Sequence, residues 1–143
     1  MIYDKDGNFK SAISDGLKFD IKDARQGCYT VNLNSFKGGM NISPMYLTGK
    51  RTQPLYCGKT SESYDYTIVM PKGMHYVGKD MTLSYAKSFG SIEIQIVQKG
   101  NVLEIKRKLN ITKDKIKPAD YEAFRTMMID WNNPSYTNLM FKK

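Results

Sequence analysis

The chain has 143 residues, 41% of them hydrophobic and 25% charged, which fits one globular domain burying roughly 70% of the surface its unfolded form exposes, with no need of a metal or disulfide staple. No apolar run approaches the ~20 residues of a membrane-spanning helix, and the N-terminus lacks a signal peptide's apolar core. The net charge of +8 invites a nucleic-acid or membrane-surface reading. The densest basic runs are only Lys50-Arg51 and Lys106-Arg107-Lys108, and strand alternation throws Arg107 to the face opposite its neighbours, so a solvated surface is the favoured explanation.

In chain order, Asp4-Lys5-Asp6-Gly7-Asn8 between Ile2-Tyr3 and Phe9 carries the Asp-Gly signal of a type I′ hairpin turn. It does not fit a calcium loop, because Gly7 comes too early after the first aspartate. Leu17, Phe19 and Ile21 alternate with Lys18, Asp20 and Lys22, predicting a strand with one wet face. Tyr29, Val31 and Leu33 predict another from Cys28. The Gly38-Gly39 pair marks a loop, and the β-prone Met45-Tyr46-Leu47 that follows Pro44 argues against a phosphate cradle, which needs a helix N-terminus. Pro54-Leu55-Tyr56-Cys57 reads as a short edge strand.

From Ser63 to Met70, Tyr64, Tyr66, Ile68 and Met70 face one way and Asp65, Thr67 and Val69 the other, until Pro71-Lys72-Gly73 ends the strand and leaves His75 in a loop. The tyrosines are core packing rather than a ligand platform. Met81, Leu83 and Tyr85 form the next strand, and Ser88-Phe89-Gly90 turns it into a hairpin over 91–112. One arm of that hairpin carries Ile92, Ile94 and Ile96, the other Leu103, Ile105, Leu109 and Ile111. Its turn is Lys99-Gly100 or a type II′ Gly100-Asn101; both place the isoleucines on the face of Leu103 and Ile105. Arg107 interrupts that apolar face, so it needs a carboxylate or carbonyl partner, or an escape to the sheet edge. After Pro118 the period changes: Tyr121, Phe124, Met127, Met128 and Trp131 follow a helix face that Asn132-Asn133-Pro134 closes. Asn138 to Phe141 predicts a last strand.

The catalytic inventory is thin. Cys28 and Cys57 lack CxxC spacing; two reduced thiols are favoured over a disulfide, which an oxidising compartment would permit. A Cys-His pair would need His75 beside one of them, and neither cysteine lies at a helix N-terminus. One histidine and two distant cysteines make a poor zinc set. Asp65, Glu93 and Glu104 fall on wet strand faces, and no nucleotide fingerprint or GxSxG occurs.

From about Cys28 onward, a set of ordered motifs is present: Arg51-Thr52-Gln53-Pro54-Leu55, the run Tyr64 to Gly73, Gly90-Ser91, Arg107, and Ile116-Lys117-Pro118-Ala119-Asp120-Tyr121 with Phe124-Arg125. Together they resemble the uncharacterised C-terminal β-domain that follows a transglutaminase-like domain in large exported proteins of Bacteroides-like bacteria. The resemblance implies a β-sandwich module at the end of a longer chain, with periplasmic or cell-envelope localisation. It also implies that the Cys-His-Asp machinery belongs to the preceding domain, so no catalytic residue carries over.

The expectation is therefore a mainly β, antiparallel, immunoglobulin-like sandwich with one short C-terminal helix, a single domain over 1–143 that is a C-terminal fragment of a multidomain protein. Its expected role is a non-catalytic accessory or interaction module, without cofactor or metal. It would pack on its upstream transglutaminase-like domain or bind an envelope protein or polysaccharide, with Arg51, ahead of an edge strand, as the candidate contact. The alternative is a basic small β-barrel binding single-stranded nucleic acid through lysines and tyrosine stacking.

Overall fold

The structure, a computed structural model, describes residues 2–3, 9–11, 22–25, 28–33 and 49–143, with side chains for 28–33 and 49–143. Among these, strands run over Ile2–Tyr3 (β1), Phe9–Ser11 (β2), Lys22–Arg25 (β3), Cys28–Asn32 (β4), Leu55–Tyr56 (β5), Thr60–Val69 (β6), His75–Tyr76 (β7), Met81–Lys87 (β8), Gly90–Lys99 (β9), Val102–Ile111 (β10), Lys115–Ile116 (β11) and Asn138–Lys142 (β12). Helix α1 spans Tyr121–Trp131, entered by a 3-10 turn at Pro118–Asp120. The Asp4–Asn8 turn, the Leu17–Ile21 strand, the Gly38-Gly39 loop and the Met45-Tyr46-Leu47 segment lie outside the described residues. The flanks of that first turn, β1 and β2, do pair antiparallel.

The predicted hairpin is the centre of the molecule. Strands β9 and β10 pair along their whole length, Gly90 with Ile111 through Lys99 with Val102. Gly100-Asn101 is left as a two-residue turn, with Gly100 at φ 61° and Asn101 not among the residues at positive φ. That is the type II′ alternative, because only its first central position needs the left-handed region. β6 joins the other side of β10 and β8 the other side of β9, giving an antiparallel sheet in the order β6-β10-β9-β8.

Period two then sorts the side chains. Ile92, Ile94, Ile96, Leu103, Ile105, Leu109 and Ile111 are all buried on one face, each such side chain contributing about 1.5–3 kcal/mol. Two layers share that face. Over one end lies α1, whose Tyr121, Phe124, Met127, Met128 and Trp131 pack on Phe89, Ile92, Ile94, Leu109 and Ile111. Over the other lies a second antiparallel sheet in the order β3-β4-β12-β7, whose Val31, Leu33, Leu139 and Phe141 pack on Ile68, Ile96, Leu103 and Ile105. The expected mainly β, sandwich-like architecture with one C-terminal helix is what forms.

Two local readings change. His75 is not in a loop: it begins β7 and pairs with Lys142 of β12. A partner 67 positions along the chain leaves no trace in local pattern. Strand β11 is also new, a two-residue segment that exists because Ile116 and Lys115 find Leu55 and Tyr56.

Gly90, the first residue of β9, stands so close to β10 that a Cβ there would collide with the Asn110 backbone oxygen, whereas a Cβ at Gly100 meets open space. Gly100→Ala is therefore expected to cost only the left-handed strain of about 1–2 kcal/mol. Gly90→Ala must also push two paired strands apart, adding a further cost of about 1–3 kcal/mol. Urea unfolding midpoints of the two variants check the ranking.

Candidate interaction surface

Where the helical layer and the second sheet meet, the long sheet presents Arg107, which is 2% exposed. Its Nη2 donates to the Trp131 carbonyl at 2.7 Å and its Nη1 to the Tyr136 carbonyl at 3.4 Å, while the guanidinium lies 4.3 Å from the centre of the Trp131 ring. The carbonyl partner expected from the sequence is thus found twice over. The chemistry is that of a helix end: the last turn of α1 has no basic residue of its own, so its exposed carbonyls and negative dipole end recruit a cation from the sheet. Asn132 completes the cap by donating its backbone N–H and its Nδ2 to the Met128 carbonyl.

Across the strands Arg107 sits between Tyr64 on β6 and Ile94 on β9. The Tyr64 and Tyr66 rings stack, centroids 6.3 Å apart, and the Tyr64 hydroxyl donates to Glu62 at 2.8 Å. Burial pushes the Arg107 pKa below the usual guanidinium range, opposed by Tyr66, Tyr64 and Glu62. Burial first, then the hydrogen bond to Glu62, pushes the Tyr64 phenol well above its usual value. These polar groups hold layers together and leave Arg107 no open face toward a ligand.

The candidate catalytic groups end up in the second sheet. Cys28 pairs with Lys142 and Lys142 with His75, so thiol and imidazole share the outer face of that sheet with one strand between them. Two inter-strand steps put their backbones roughly 10 Å apart. His75 is exposed and Cys28 half-buried, and neither thiol of the chain is in a disulfide. Cys57 belongs to the helical side of the molecule, its Sγ 3.5 Å from the Lys113 carbonyl, and burial pushes its pKa up. A raised thiol is a poorer nucleophile at neutral pH.

The outer face of the long sheet is polar. The row Ser63–Lys108–Glu93–Ser84 crosses all four strands, and with Ser61, Ser91 and Asn110 it borders an open depression of about 480 Å³. Short serines beside long lysine and glutamate side chains account for its shape. Asp65 and Glu93 are exposed there as expected, and Glu104 is bridged to Lys99 at 3.1 Å. Among the described residues, no cluster of histidine, cysteine and carboxylate side chains has metal-binding geometry. Nor is any helix long and apolar enough to cross a membrane.

Arg51, the contact candidate, is half-buried and lies 5.6 Å from the Tyr121 ring centre at the start of α1. It borders the β5–β11 ribbon, where Tyr56 stands opposite Lys115. The ribbon's basic character was missed in the sequence, although Lys113-Asp114-Lys115-Ile116-Lys117 shows the alternation that could have revealed it.

The profile of a protein family described as a domain of unknown function with a solved structure, DUF3858, matches residues 28–141. The chain belongs to that family. No curated protein matches it. Among solved structures it is similar to the crystal structure of a putative protease from Parabacteroides distasonis ATCC 8503, with 23% identity and a TM-score of 0.67, over 85% of this chain and 24% of that one. The likeness establishes the shared fold, and the chain spans about a quarter of the length of that protein.

Two outcomes follow from the seam. Arg107→Met keeps the bulk but leaves the Trp131 and Tyr136 carbonyls without their donor, and is expected to lose about 3 kcal/mol or more; Arg107→Lys, lacking the fork, recovers only part of this in chemical denaturation. The second outcome concerns pH. A phenol whose folded pKa is raised favours the protonated fold, so its contribution is complete below the ordinary phenol value of about 10 and is lost as pH rises through the folded one. Urea midpoints should fall above about pH 10, and more gently in Tyr64→Phe than in the parent.

Proposed function

We propose that this domain is a non-catalytic accessory module of a longer, exported, transglutaminase-like protein. In that role it packs on the domain before it, or holds a protein or polysaccharide partner at the cell envelope. The observation that carries the reading is the asymmetry of coverage: the fold takes up 85% of this chain but 24% of the Parabacteroides protein, so the same unit recurs there as one part of a larger chain. The protease description belongs to that whole protein, and on this reading the chemistry resides in its other parts.

The placement of the reactive groups is consistent with this. A thiol–imidazole pair needs hydrogen-bond contact and a third group to orient the ring. Here the strand bearing Lys142 separates Cys28 from His75, and Cys57 is held against the carbonyls of Lys113 and Asp114. Arg107, the buried charged side chain among the described residues, is committed to the helix end. Export and envelope localisation rest on the motif resemblance alone.

The test is direct. The purified chain, offered peptide-amide and glycosidic substrates, is expected to give no turnover above blank, and Cys28→Ser and His75→Ala are expected to behave identically to the parent. Turnover by the parent that disappears in either variant would overturn the proposal.

A further inference from the structure

The fold gathers a net positive charge on the β5–β11 ribbon, where the exposed carboxylate of Asp114 lies among the lysines. Lys115 and Lys117 flank buried Ile116 in extended backbone, so period two turns both toward solvent, and both are exposed. Tyr56 lies directly across from Lys115 on the same face and is 76% exposed, more than any other large hydrophobic side chain described. At one end, exposed Lys113 precedes Asp114, whose carbonyl accepts from the N–H groups of Cys57 and Gly58, and exposed Lys59 follows directly. At the other end Arg51 rests on Tyr121 with Lys50 beside it. Ion pairs between described residues join Lys99 to Glu104 and Arg125 to Glu122, and none uses a ribbon cation.

We infer that this ribbon docks a linear anionic polysaccharide; the inference rests on the interaction-module reading and gives it a surface and a partner. Lysines two apart on extended chain are about 6.6 Å apart, a repeat of point charges suited to a polymer bearing charge along its length. The Tyr56 ring, across the ribbon from Lys115, offers one flat apolar face of a size to cover one sugar ring. Single-stranded nucleic acid is better served by a series of aromatic faces. The ribbon has a single largely exposed ring among its lysines and Arg51.

The experiment titrates the intact chain, at low salt, with polygalacturonate, neutral dextran and an oligothymidylate. Polygalacturonate is expected to bind and to be released by added salt, while dextran is not bound. The double variant Lys115→Glu/Lys117→Glu should weaken binding roughly tenfold or more, and Tyr56→Ala roughly threefold. The reversal Lys106→Glu/Lys108→Glu, which removes the same charge from the sheet's outer face, should change it less than about twofold. Urea midpoints confirm that each variant is folded.

Absence of polygalacturonate binding overturns the inference, as does tighter binding of the oligothymidylate, or an equal loss in both double variants. Failure here, with no turnover by the chain, leaves the accessory-module reading standing. Turnover lost on Cys28 or His75 substitution removes that reading whatever the titration shows.

Discussion

A guanidinium placed where the apolar face of the central sheet is deepest is the constraint on which the arrangement of layers depends. A helix and a small sheet both need that face, and neither alone covers it: the helix packs toward Ile92 and Leu109, the second sheet toward Ile96 and Leu103. Arg107 lies between the two sets and binds the chain that passes from one layer to the other, at Trp131 where α1 ends and at Tyr136 just before β12 begins. Thr137 extends the link, its carbonyl accepting from the Leu33 N–H of the second sheet at 2.8 Å. An aliphatic residue would suit the sheet and strand these carbonyls, so the cost of desolvating the cation is offset by acceptors that no apolar side chain can satisfy.

What the sequence made legible follows from the range of the interactions involved. The alternation of Ile92, Ile94 and Ile96 with Glu93, Gln95 and Val97, and the change of period at Tyr121, are set by neighbours within a few residues; both elements formed as read. The same alternation showed that Arg107 would be buried and would need a carbonyl or carboxylate. It did not say which, because Trp131 and Tyr136 reach it only through the packing of a helix 24 or more positions away. His75 and Lys115–Ile116 were missed for a related reason: a two-residue strand is defined by its partner, and β12 and β5 lie far off in sequence. The choice between turn alternatives at Gly100 likewise needed the register of the paired strands.

Among the described residues the candidate catalytic groups are kept apart by the strands that carry them. Groups that would have to be mutually close for catalysis are distributed over different strands of the outer layer or used as packing. Tyr64 and Tyr66, which could pass for a ligand platform in the sequence, stack on each other and flank Arg107. A surface that recognises partners needs less: exposed groups of one kind, held at fixed spacing by elements that do not move.

Charge balance distinguishes the surfaces that remain. On the outer face of the long sheet each lysine of β10 meets a carboxylate in register, Lys106 opposite Asp65 and Lys108 opposite Glu93, and Glu104 is bridged to Lys99. Cross-strand pairs of opposite sign stabilise a sheet and cancel the field it projects, so the run that looked most basic in sequence is nearly neutral in space. On the ribbon the alternation works the other way. Burying Ile116 forces Lys115 and Lys117 outward on one side, and the cross-strand neighbour of Lys115 is Tyr56 rather than an acid. Among the described residues positive charge is therefore gathered on a short two-stranded edge and cancelled on the broad sheet.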